Sequence, residues 1–150
     1  MLERKQLVKS DINVVWDYFS SPDNLNEMTP TNMGFRIITQ KPIPKMFLNQ
    51  EIEYKVRPVL NIPLYWKTKI TEVKPKEHFV DEQMKGPYSL WRHKHTFIPK
   101  GGHIEMHDRV DYALPFGILG SVAHSIYVNA RLKEIFDYRA TIVDKVFNQD

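Results

Sequence analysis

The sequence predicts an α+β domain: a curved antiparallel sheet of about six to seven strands wrapped around one long C-terminal helix, with two short helices after the first strand. Three observations predict it. From Phe35 to Leu114 the hydropathy alternates with period two between turn residues; from Ser121 onward there is no Gly or Pro and the apolar residues fall at helical spacing; and two short helical patterns precede the alternating region.

In chain order, Asp11 can cap a short helix in which Val15 shares a face with Tyr18 and Phe19, and Ser21-Pro22 ends it. Ser21 in turn can cap a second helix that begins at Pro22, turns Leu25 and Met28 inward and stops before Thr29-Pro30. The strands that follow are punctuated at Pro42 to Pro44, Asn49, Asn61 to Pro63, Pro75, Gly86-Pro87 and Gly101-Gly102. Alternation is cleanest over Glu51 to Arg57, where Ile52, Tyr54 and Val56 oppose Glu51, Glu53, Lys55 and Arg57, so one sheet face is buried and the other wet. After an apolar turn at Pro115 to Gly120, the stripe Val128, Leu132, Ile135, Ile142 and Val146 predicts the long helix that lies on that sheet. No repeat or linker divides the chain, and residues 1–150 are expected to form a single domain.

A chain of 150 residues is long enough to enclose a core or a pocket, and 42% hydrophobic with 26% charged residues is an ordinary globular balance. The net charge of +3 and pI near 9.0 arise from basic and acidic residues mixed along the sequence, which argues against a nucleic-acid partner. There is no cysteine, so disulfides, thiolate nucleophiles and sulfur-ligated zinc are excluded. No stretch approaches the ~20 apolar residues of a membrane span and the charged N-terminus lacks a signal-peptide pattern; the expectation is a cytoplasmic chain without stable membrane insertion.

The predicted interior is unexpectedly polar. Carrying the alternation through the strands places Tyr54, Trp66, Thr68, Trp91, His93, His95, Phe97, Met106, Asp108 and Tyr112 inward, with Glu82 added if Val80 and Met84 set the phase of their strand. Arg139 falls on the helix stripe between Ile135 and Ile142. Buried charges must pair or face water in a cavity. Two readings are open: Asp108 and Arg139 form an ion pair tying sheet to helix, or these groups line a hollow and hold a ligand.

His93 and His95 are two apart on a strand and point the same way, about 6–7 Å apart at their α-carbons, a spacing that suits a metal with Asp108 as third ligand. Trp91 and Phe97 on either side favour an apolar wall instead, and no metal or cofactor is expected. His103, Glu105 and His107 alternate with Ile104 and Met106 and belong to the wet face. Ser89, Ser121 and Ser125 lack the Gly-x-Ser-x-Gly setting of an elbow nucleophile, and no phosphate-cradling glycine motif occurs. Met33, Phe35, Met46, Phe47, Leu60, Ile62 and Phe116 to Leu119 are large apolar groups in or beside turns, read either as the rim of an opening or as the plug of the sheet's end.

Val15-Trp16, Asn24-Leu25, Thr29-Pro30, Phe79 to Gln83, Gly86-Pro87-Tyr88, Trp91-x-His93-x-His95-x-Phe97, Asp108-x-Val110-x-Tyr112 and Ile135-Phe136-x-Tyr138-Arg139 form a set that resembles the SRPBCC ligand-binding superfamily, also called START-like or Bet v 1-like. Within it the likeness is to a bacterial subgroup often labelled cell division inhibitor, and it runs over essentially the whole chain. The resemblance implies a helix-grip fold with a deep apolar cavity between sheet and last helix, in a superfamily whose members bind lipids, sterols, polyketides or quinones and in some cases act as cyclases or aromatases. It carries over no catalytic residues.

Three functions remain open on this reading. The first is binding or carriage of a small hydrophobic molecule, with Trp66, Trp91, Phe97, Met106 and Tyr112 as wall and Tyr54, His93, His95 and Asp108 as polar anchors. The second is a cyclase, dehydratase or isomerase using histidine–aspartate acid–base chemistry on such a molecule. The third is a module that docks a protein or membrane surface through its apolar rim.

Overall fold

One antiparallel sheet contains all seven strands: β1 (Leu2–Val8), β2 (Arg36–Ile37), β3 (Glu51–Val56), β4 (Leu64–Lys74), β5 (His78–Lys85), β6 (Leu90–Lys100) and β7 (His103–Ala113). The computed structural model describes residues 1–57, 61–115 and 122–149. The strand order is β1-β7-β6-β5-β4-β3-β2, so β2 to β7 form a meander and the N-terminal strand closes against the last one, Leu2 opposite Val110 and Val8 opposite Ile104. Helices α1 (Ile12–Phe19), α2 (Leu25–Met28) and α3 (Val122–Phe147) complete the expected α+β helix-grip architecture.

The local signals explain the elements. Asp11 Oδ1 accepts from the backbone N–H groups of Asn13 and Val14 at 2.8 and 3.2 Å, capping α1, and Val15 and Phe19 turn into the core. Ser21 caps nothing: its hydroxyl donates back to the Asp17 carbonyl at 2.7 Å, and Pro22 opens a 3-10 turn before α2. Asn49, Asn61 and Lys76 take positive φ at the strand turns. The β5–β6 turn depends on Gly86, where a Cβ would stand 2.5 Å from Gln83 Oε1; that amide donates to Tyr88 O at 2.8 Å and accepts from Tyr88 N at 3.1 Å. The loops carrying Leu60 and Phe116 to Leu119 lie outside the described residues.

Two apolar clusters fill the space between sheet and helices. Val15, Phe19, Phe79, Phe97, Met106 and Val143 belong to one, and Met33, Val56 and Trp66, with Phe35, Tyr54, Tyr88, Trp91 and Ile135 against them, form the other. On α3 the buried line runs Val128, Leu132, Phe136, Val143, whereas Val146 is 40% exposed. The expected stripe is therefore corrected at its end: Phe147, whose ring meets those of Tyr18 and Phe19, takes the inward place expected of Val146.

Candidate functional site

Along β6 the two clusters are bridged by polar residues. Trp91 belongs to the aromatic cluster and Phe97 to the other, and between them His93 and His95 point inward, 4% and 3% exposed. Their rings stack with centroids 3.6 Å apart. His93 Nε2 lies 2.7 Å from Asp108 Oδ1 on β7, and His95 Nε2 lies 2.9 Å from Asp81 Oδ2 on β5. The stacked imidazoles are held between two carboxylates, one from each neighbouring strand. His95 Nδ1 is 3.2 Å from Asp108 Oδ1 but out of line for a hydrogen bond, and it has no other partner.

Burial pushes the Asp108 carboxyl up, but the bond from His93 and the close approach of His95, followed by the Arg139 charge, outweigh it and hold it well below the usual carboxylate range. Asp81 follows the same logic, burial opposed chiefly by the His95 bond, and ends below its ordinary value. Burial is also the main force on His93, reinforced by His95, and lowers it to about 4 in spite of both carboxylates, so its imidazole is neutral at pH 7. Tyr54 is raised well above the ordinary phenol value, first by burial and then by the Asp81 charge.

Beside this cluster lies a cavity of about 150 Å³ between the sheet and α3. Of the residues expected to face inward, Tyr54, Trp66, Thr68, Trp91, His93, His95 and Arg139 line it. Trp66 stacks on Tyr54, meets Trp91 edge to face, and buries its indole N–H without an acceptor. Phe97 and Met106 are instead core residues of the cluster containing Val15 and Phe19. Tyr112 stands behind the wall, its ring against Tyr88 and Trp91 and its hydroxyl on Asn129 of α3. Asp108 lies behind the histidines and lines a separate polar groove between β1 and α3, which Arg139 also reaches.

Two expectations are corrected. Glu82 does not face the cavity; Asp81 does, and Glu82 sits on the opposite sheet face between Lys69 and Arg92 of the flanking strands. The phase was ambiguous because Phe79 and Val80 are both buried, and the β4–β5 register shifts between Ile70 and Glu72. Asp108 does not pair with Arg139 either. Among the described residues its close contacts are with the two histidines, while Arg139 leaves its Nε buried without an acceptor and lies over the rings of Phe19 and Phe136 at 5.9 and 6.0 Å. The missed residue is Asp81; its only signal was its cross-strand place opposite His93.

Of the turn residues read as a rim, Phe35 and Met46 do line the cavity, Met33 is fully buried, and Phe47 and Ile62 are 50% and 51% exposed. His103 is exposed, and His107 pairs with Glu105 on the outer face, as expected from the alternation. Among the described residues no helix is long and apolar enough to cross a membrane.

Sheet, helix and the cavity between them together define a helix-grip fold. Solved structures of that type superpose over nearly the whole chain. A START superfamily protein from Mycobacterium smegmatis matches at TM-score 0.68 with 9% identity, covering 97% of each chain. The Zhui aromatase/cyclase from Streptomyces sp. R1128 matches at TM-score 0.72 with 11% identity, covering 95% of this chain and 89% of its own. Ginseng major latex-like protein 151 from Panax ginseng matches at 0.59 with 12% identity, covering 91% and 93%. At these identities the likeness is one of fold. No protein-family profile and no curated protein sequence matches the chain.

Proposed function

We propose that the protein binds a small, largely apolar molecule in the cavity between its sheet and α3. The observation that carries this reading is the wall itself: Tyr54, Trp66, Tyr88 and Trp91 on one side and Leu132, Ile135 and Phe136 on the other enclose the space, with polar groups concentrated at Asp81, His93, His95 and Arg139. An apolar enclosure with a few convergent polar groups is the usual form of a small-molecule site. A cavity of about 150 Å³ takes a part the size of a single ring, the size at which apolar protein cavities bind benzene-like guests. The unpaired Trp66 indole N–H offers a ligand carbonyl its hydrogen bond. Lipids, quinones, sterol-like and polyketide-like compounds with such a ring or tail are the candidates.

Native mass spectrometry of protein purified without delipidation, with denaturing extraction of any companion, tests the reading. A reproducible stoichiometric adduct, or saturable uptake of lipophilic probes by the bare protein, supports it. A folded preparation that carries nothing and takes up no lipid, quinone, sterol or aromatic probe sinks it.

A second reading, acid–base catalysis on the bound molecule, is favoured by one feature: His93, neutral at pH 7 and backed by Asp108 at 2.7 Å, lies on the cavity wall. Incubating the extracted compound with the protein and with His93→Gln distinguishes it, since turnover by the unmutated protein alone marks an enzyme and turnover by neither marks a carrier.

A further inference from the structure

We propose that Asp81 Oδ2, His93 Nδ1 and His95 Nε2 bind a first-row divalent transition-metal ion, zinc-like in its preferences, with Asp108 positioning the histidines from behind. The donor atoms of Asp81, His93 and His95 all lie within 4.8 Å of one another. His95 Nε2 and His93 Nδ1 stand 2.9 and 3.8 Å from Asp81 Oδ2. Those separations bracket about 3.4 Å, the spacing of two donors each about 2.1 Å from a tetrahedral ion. Two imidazole nitrogens and one carboxylate oxygen suit zinc, cobalt or iron(II) over magnesium or calcium.

The hydrogen bonding supplies an independent reason. Asp108 is a carboxylate and can only accept, so His93 donates through Nε2 and, as a neutral imidazole, carries its lone pair on Nδ1. That lone pair faces the Asp81 carboxylate, an arrangement that a cation between the two relieves; His95, which donates to Asp81 through Nε2 in the metal-free protein, frees that nitrogen by carrying its proton on Nδ1 instead, 3.2 Å from Asp108 Oδ1. A ligating histidine whose other N–H is held by a carboxylate is the common outer arrangement of protein metal sites. Charge points the same way: Asp81 and Asp108 bring two negative charges, and Arg139, whose charge acts on both, makes no ion pair with either among the described residues. The three ligating residues line the cavity and Asp108 does not, so the remaining coordination positions face the space where a ligand oxygen would lie.

The rival cation is a proton shared by the histidine pair. Cobalt(II) titration of the chelator-treated protein separates them. The expected result is a set of visible d–d bands that saturates at a single site and is displaced by zinc. His93→Gln or Asp81→Asn abolishes the bands, Asp108→Asn weakens binding about 10–100-fold, and His103→Gln with His107→Gln on the outer face changes nothing. Where a core variant fails to fold, paramagnetic broadening of the His93 and His95 ring signals in the unmutated protein gives the same answer. Absence of bands, bands lost with the outer pair, or unbroadened His93 and His95 signals overturn the proposal. It goes beyond ligand binding and fails separately, because probe uptake is measured on the metal-free protein.

Discussion

His93 Nε2 and Asp108 Oδ1 are 2.7 Å apart in the interior, and this bond joins β6 to β7 at the point where the two apolar clusters meet. Removing the carboxylate leaves His93 and the Arg139 charge without its compensation. Asp108→Ala is expected to lower the unfolding free energy by about 1.5–3 kcal/mol, the range for a hydrogen bond to a charged group. Urea denaturation at pH 7 checks it against Asp111→Ala, three residues further along β7 in a partly exposed Arg109 pair, where about 0.5 kcal/mol or less is expected. Equal losses at the two positions would refute the account.

The cluster makes the fold acid-sensitive. His93 is lowered from 6.5 to about 4 in the folded chain, so the unfolded state takes up this proton first and the contribution is lost as pH falls through that interval. The difference corresponds to about 3 kcal/mol. Asp81 and Asp108, also depressed, add their loss only below their ordinary value near 3.8. Thermal melts of metal-free protein should therefore show Tm falling between pH 6.5 and 4, with a shallower slope in His93→Gln. Parallel slopes in the two proteins would remove His93 as the cause.

Filling the cavity should separate binding from folding. Ile135 lines it from α3, and Ile135→Trp places an indole where a ligand ring would lie. Overpacking costs about 1–3 kcal/mol. The expected outcome is a folded protein by circular dichroism that no longer takes up a lipophilic probe; undiminished uptake would place the binding site elsewhere.

Gly86 and Gln83 should behave as one unit. A methyl at Gly86 evicts the Gln83 amide, which holds Tyr88 through two hydrogen bonds. Gly86→Ala is expected to cost about 1–3 kcal/mol at roughly 1 kcal/mol per bond. In the Gln83→Ala background the same change should cost less than half as much, because the obstruction is gone; additivity in the double-mutant cycle would contradict the coupling.

The order of elements, the single sheet, the capped first helix and the inward direction of His93, His95, Trp66 and Trp91 were all legible in the sequence, because strand and helix periodicity are local properties that burial reinforces. The chemistry of the interior was not. Asp81 replaces Glu82 at the cavity because an irregular β4–β5 register, invisible to a period-two reading, decided the phase of β5. Asp108 meets the histidines and not Arg139 because β6 and β7 are hydrogen-bonded neighbours with His95 directly opposite Asp108, whereas Arg139 approaches from the helix layer above. Sequence by itself determined which faces of β3, β4, β6 and β7 are buried. Which buried charges touch, and that two carboxylates enclose two stacked imidazoles beside an apolar cavity, was decided only by strand pairing and by the packing of α3 onto the sheet.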